Sequence, residues 1–121
     1  MDVAALASDR VIFGQILETF VYQELRRQAS WHEDEIRFHH FRDRDGYEVD
    51  IVLERGAREL VGVEVKLSAT VASPDFRGLR RLKETAGKRF VGGVVLYDGE
   101  IAGSFGDGLF AVPIRSLWET T

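Results

Sequence analysis

Tyr47-Glu-Val-Asp-Ile-Val-Leu-Glu54 and Leu60-Val-Gly-Val-Glu-Val-Lys-Leu67 are two short runs with the period of β-strands, and their reading decides the fold. Successive strand side chains point to opposite faces. On that rule Tyr47, Val49, Ile51 and Leu53 make one apolar face, while Glu48, Asp50, Val52 and Glu54 line the other. The second run divides in the same way. Val61, Val63, Val65 and Leu67 face a core, and Gly62, Glu64 and Lys66 face the side that carries Asp50. If Arg55 to Glu59 is a turn that pairs the runs, two carboxylates and an ammonium converge on one patch of sheet.

That trio suits metal-assisted phosphodiester chemistry. Mg²⁺ takes oxygen ligands and keeps several waters, so one or two carboxylates plus a substrate phosphate suffice to hold it. A lysine beside them can orient a water and offset charge developing on the phosphorus centre. The competing reading is a solvated polar face with a Glu–Lys pair, the ordinary condition of an antiparallel sheet.

Outward from these runs, the chain reads helix, three-stranded meander, helix, strand and a short closing strand. The first helix is expected over Ser8 to Gln28, with Ser8 and Asp9 as cap candidates and Phe13, Leu17, Phe20, Val21 and Leu25 as its apolar stripe. Ile36 to Phe41 reads as a strand, and Asp45-Gly46 as a hairpin turn. Ser68 to Ser73 is a loop, after which Ser73-Pro74-Asp75 opens a second helix with a cap and a proline in its first turn. Gly87 ends that helix. Phe90 to Tyr97, a continuous apolar run, reads as a buried central strand that can pair parallel to a neighbour. Ile101 to Gly108 is turn-rich, Leu109 to Ile114 reads as a last strand, and Ser116 to Trp118 as a short turn of helix.

In this order and context, D-x(13)-E-x-K at Asp50, Glu64 and Lys66 resembles the PD-(D/E)XK nuclease superfamily. Gly14-Gln-Ile-Leu-Glu-Thr-Phe-Val, Arg42-Asp-Arg-Asp-Gly-Tyr-Glu-Val-Asp50, Gly62-Val-Glu-Val-Lys66-Leu-Ser and Phe90-Val-Gly-Gly-Val-Val-Leu-Tyr97 resemble one branch more closely, the DUF4143 domain. The likeness runs from about Gly14 to Trp118. Val49 stands where the superfamily name has proline, a frequent departure. The resemblance implies an α/β fold, an α+β mixed sheet of order α-β-β-β-α-β-β with a restriction-endonuclease-like core. It also implies Mg²⁺ or Mn²⁺ held by Asp50, Glu64 and the Val65 carbonyl, DNA as substrate, and an AAA-type ATPase as partner in cis or in trans.

A helix glutamate joins the metal site in the resembled superfamily, and Gly14-x-x-x-Glu18 makes Glu18 the match. The helical wheel favours another acid. At about 100° per residue Glu24 falls near the centre of the stripe of Leu17, Phe20 and Val21, while Glu18 lies at its edge. A carboxylate among apolar neighbours needs a partner, an arginine or a metal. About 120° separates the two around the helix, so they are not expected to serve one ion together. Both stay open as auxiliary acids.

Composition bounds the function classes. A chain of 121 residues with 45% hydrophobic content and eight phenylalanines supports one domain, 1–121, with a real core. There are no cysteines, hence no disulfides and no thiolate zinc site, which accords with a cytoplasmic location. No apolar stretch reaches membrane-span length, so no membrane partner is expected. A net charge of −4 argues against a generic nucleic-acid coat but not against a nuclease, whose acids are reserved for metal. Arg77, Arg80, Arg81 and Lys83 form the best candidate strip for a DNA backbone. A histidine metal site is disfavoured, because His39 and His40 are adjacent on a strand and point apart. Glu33-Asp34-Glu35 reads as a solvated acidic run, and Trp31 and Trp118 as core or interface aromatics. The chain lacks a phosphate-binding G-x-x-x-x-G-K-[ST], so it is not itself the ATPase. Three functions are compatible with these residues: a Mg²⁺-dependent nuclease, a nuclease-fold module that binds DNA or protein without cutting, or a self-contained acid–lysine network that only specifies the fold. Oligomeric state has no signal in the sequence.

Overall fold

The computed structural model describes residues 10–31, 35–56 and 58–118, with the side chains of residues 10–14 and 16 outside that description. The caps expected at Ser8 and Asp9, the side chain of Phe13, His32 and the acids Glu33 and Asp34 therefore lie outside the described residues. A first helix α1 (Arg10–Ala29) precedes three strands, β1 (Ile36–Arg42), β2 (Glu48–Arg55) and β3 (Glu59–Lys66). A short 3₁₀ turn (Ser73–Phe76) leads into α2 (Arg77–Ala86), followed by β4 (Phe90–Tyr97), β5 (Gly103–Ser104) and β6 (Leu109–Pro113). The result is a mixed α/β structure on one six-stranded sheet of order β1-β2-β3-β4-β6-β5. Beyond the expected strands, two residues of the turn-rich 101–108 segment pair antiparallel with β6 as β5.

Strands β1, β2 and β3 form an antiparallel meander, and β4 lies parallel to β3 on one side and to β6 on the other. The apolar run Phe90–Tyr97 is thus a central strand, as its composition requires. Each side of the sheet has its own core. On one, Phe76, Leu79 and Leu82 of the α2 region pack with Val49, Val52, Leu60, Val95, Leu109 and Ala111. On the other, Val21 of α1 packs with Ile51, Val63, Leu96 and Ile114. Full burial of each such aliphatic or aromatic side chain stabilises the fold by about 1.5–3 kcal/mol.

Alternation holds along β3, where Val63 and Val65 face α1. It fails on β2. His39 pairs with Val52 but Phe41 pairs with Val49, so two steps on β1 answer three on β2. The extra residue is a β-bulge, and it re-aims the side chains on its far side. Val49, expected with Ile51 and Leu53, instead joins Val52 under α2, while Ile51 stays with the α1 core. On α1, Leu17, Val21 and Leu25 form the packed stripe, but Phe20, expected within it, is 57% exposed. Trp31 and Trp118 are exposed and outside both cores. No helix among the described residues is long and apolar enough to cross a membrane.

The side expected to be polar is covered by α2. Its closeness rests on missing side chains: a Cβ on Gly62 would lie 2.5 Å from Leu79 Cδ2, and one on Gly78 would lie 1.9 Å from the Glu48 carbonyl oxygen. α2 therefore seats its first turn on the β2 backbone at the point where the acid-bearing stretch begins.

Candidate functional site at the parting of β2 and β3

The β2–β3 ladder runs from Arg55↔Glu59 to Ile51↔Val63 and stops there. Beyond it the bulge carries β2 away, and side chains take over from the backbone. The Asp50 N–H donates to Glu64 Oε1 at 3.1 Å, and the Val65 N–H donates to Asp50 Oδ2 at 2.8 Å. Each acid thus accepts an amide of the other's strand, which satisfies donors that would otherwise be orphaned. Each also keeps a second oxygen, Oδ1 or Oε2, outside these two bonds.

Glu18 of α1 joins this pair. Its carboxyl is raised above the ordinary glutamate range, first by burial and then by Asp50. Asp50 is likewise raised, first by burial, against the opposing bond from the Val65 amide. Glu64 is pushed up to about 8 by burial, then by Asp50, with Glu18 and Glu48 adding to it. Among the described residues no lysine or arginine makes an ion pair with any of the three. A histidine supplies the nearest relief: His40, whose Nδ1 lies 3.3 Å from the Asp50 carbonyl oxygen, lowers Asp50 and Glu18 electrostatically. Histidine spacing did not signal this placement, because it depends on the bulge.

Glu24 is held elsewhere. Its carboxylate, in a residue only 9% exposed, takes two bonds from Arg27 and one from the Gln28 amide, which also reaches the Leu117 carbonyl. The Arg27 bond, the largest influence, helps bring it down to about 2. Of the two helix acids, Glu18 is the one brought to Asp50 and Glu64, and Glu24 satisfies the wheel's demand for a partner with an arginine.

Lys66 shares a strand face with Glu64, yet its Nζ sits 2.6 Å from Asp75 Oδ2. The same oxygen caps the Ala72 N–H at 2.7 Å, and burial of Asp75 is outweighed by these bonds, so its carboxyl lies below the usual range. Asp75 was legible only as part of a helix start. It belongs to a polar cleft of about 520 Å³ lined by Asp45, Tyr47, Glu48, Glu64, Asp75, Arg77 and Gly78.

The candidate basic strip is spoken for within the fold. Arg81 spans the β1–β2 turn, 3.1 Å from Asp43 and 3.3 Å from Asp45, with its guanidinium over the Tyr47 ring. Arg80 donates to the Ser73 carbonyl and hydroxyl, Arg77 to the Pro74 carbonyl, and Lys83 to the Asp107 carbonyl. Tyr47, Arg77, Arg80 and Arg81 nevertheless border a second cleft that shares Tyr47 and Arg77 with the acidic one.

As to a divalent ion, two carboxylates that each keep an oxygen outside the interlocking bonds suit a hard ion that keeps most of its waters. No three carboxylate or imidazole groups among the described residues close around a point as an all-protein cage.

A family model described as a domain of unknown function, DUF4143, matches residues 13–117. No curated protein and no solved structure matches the chain.

Proposed function

The chain belongs to the DUF4143 family, and from that premise and the acid pair we propose that it is a metal-dependent, nuclease-like domain acting on DNA phosphodiesters. The reading extends to a restriction-endonuclease-like core of the PD-(D/E)XK superfamily, working in the cytoplasm beside an AAA-type ATPase in cis or in trans. One observation carries it: Asp50 and Glu64 interlock where β2 and β3 part, with no lysine or arginine paired to either among the described residues, and Glu18 is close enough to raise Glu64 and to be raised by Asp50. A bound Mg²⁺ or Mn²⁺ would supply charge compensation and an activated water. Asp50 and Glu64 would hold it, with the Val65 carbonyl as the third protein oxygen and Glu18 as the auxiliary acid. Lys66 lies on the same strand face to orient the water, and Arg77, at the junction of the two clefts, is placed to meet the next phosphate of a strand.

Calorimetric titration with Mn²⁺ tests the metal site, comparing the wild type with an Asp50→Asn, Glu64→Gln double variant. Heat that is equal in the two, or absent from the wild type, refutes it. Cleavage is tested on supercoiled, linear, branched and single-stranded DNA with Mn²⁺, with Lys66→Ala as the control that must be inactive.

A second reading is favoured by the Lys66–Asp75 pair and by the lack, among the described residues, of a three-ligand cage: a nuclease-fold module that binds DNA or a partner protein for an ATPase without cutting. DNA retention without cleavage in the same assay selects it.

A further inference from the structure

Asp50, Glu64 and Lys66 occupy one end of the sheet with Glu18 of α1 beside them, and the lysine pairs with none of these three acids. Lys66 stands two residues from Glu64 on the same strand face, and its ammonium is directed to Asp75, at the lip of the cleft that Glu64 also lines. Asp75 is fixed for this task. Its Oδ2 is pinned by the Ala72 N–H, and the proline-containing 3₁₀ turn that carries it runs directly into α2, whose Gly78 is seated against the Glu48 carbonyl. The pair is only partly exposed, 33% and 24% for the two side chains, so its attraction is not fully screened.

We propose that Asp75 is a positioning residue that holds the Lys66 ammonium at the cleft's edge and keeps it off Asp50 and Glu64, leaving those carboxylates available to a divalent cation. The inference rests on the metal-site reading above and deepens it by naming what decides whether the cation or the lysine occupies the acids. An ammonium deprived of Asp75 has Glu64, Glu48 and Asp45 as the remaining carboxylates lining the cleft, and Asp45 is already paired with Arg81. It would then compete with the ion for the same charge.

The test is a four-way comparison of Mn²⁺ affinity by calorimetry: wild type, Asp75→Asn, Lys66→Gln and the Asp75→Asn, Lys66→Gln double variant. Asparagine retains an oxygen for the Ala72 N–H, so the turn keeps its cap while the charge is lost. Asp75→Asn is expected to weaken Mn²⁺ binding by about fivefold or more, the lower end of coupling between linked sites, and removing Lys66 in that background is expected to restore it. A role confined to the turn's stability predicts weakening with no restoration, and that result overturns the proposal. So does an unchanged affinity in Asp75→Asn. A wild type that takes up no Mn²⁺ brings down the metal reading and this inference together, whereas a wild type that binds with no Asp75 effect brings down this inference alone. Should Asp75→Asn not fold, nuclear magnetic resonance on the wild type decides: scalar coupling from Lys66 Nζ to the Asp75 carboxyl carbon supports the assignment, and coupling to the Glu64 or Asp50 carboxyl carbon overturns it.

Discussion

Replacing Gly78 with alanine sets two effects of opposite sign against each other. Alanine is the better helix former by about 0.8–1.0 kcal/mol in a helix interior, so propensity alone forecasts a more stable protein. The structure forecasts the reverse. The new Cβ would sit 1.9 Å from the Glu48 carbonyl oxygen and 3.0 Å from its carbon, whereas an ordinary non-bonded contact needs roughly 3.5 Å. More than an ångström must be found by moving either α2 or the β2 backbone, because a main-chain carbonyl has no rotamer to turn away into. Overpacking of this kind costs about 1–3 kcal/mol, and an obstacle made of backbone belongs at the upper end. The net expectation for Gly78→Ala is a loss of about 1–2 kcal/mol. Urea denaturation of the metal-free protein measures it, as a lower midpoint with an unchanged slope. The 3₁₀ turn that runs directly into α2 carries Asp75, so the Lys66 contact should loosen as α2 shifts. Stability equal to or above that of the wild type would refute the close seating of α2 on β2.

Three more outcomes are expected of the site. Glu64 rises from about 4.5 unfolded to about 8 folded, so the folded state holds an extra proton between those values and stability should fall as pH climbs through that window. At about 1.4 kcal/mol per unit the loss is a few kcal/mol at most, and thermal melts from pH 5 to pH 9 should flatten in Glu64→Gln; an equally steep decline in that variant refutes the attribution. Glu18→Gln should weaken Mn²⁺ binding while Glu24→Gln leaves it unchanged, and calorimetry giving the opposite pair of results would move the auxiliary acid to Glu24. Arg81→Ala removes two ion pairs and a ring contact from the β1–β2 turn, for about 1 kcal/mol, with faster amide exchange expected in residues 43–47; unchanged exchange there would deny the arginine a role in holding the turn.

How far the residues themselves disclose this molecule depends on which force sets each feature. Strand β4 is legible because eight successive residues without a charge demand burial on both faces, and β3 because its alternation is uninterrupted. The two acids were legible as candidates through their residue types and spacing. The face of Val49 was not, since a one-residue bulge reverses parity and leaves no mark in composition. His40's approach to Asp50 is hidden by the same bulge. Asp75 was visible only as a helix-start residue, because its pairing with Lys66 is set by how the 3₁₀ turn folds back over β3, a tertiary event. The Glu24–Arg27 pair lay within reach, as its three-residue helical spacing is local. Glu18 could be matched only by resemblance, because the packing of α1 on the sheet, and nothing within the helix, brings it to Asp50.

The reciprocal bonds between Asp50 and Glu64 bear on how such a site is inherited. Each acid completes a strand's set of paired amides, and truncating either strands a donor at a cost of about 1–3 kcal/mol where the sheet opens. Loss of the proposed metal chemistry in some lineage would remove one reason to keep the acids and leave the other intact. Both carboxylates therefore have a folding reason to persist in any descendant of this chain, with or without a metal to hold.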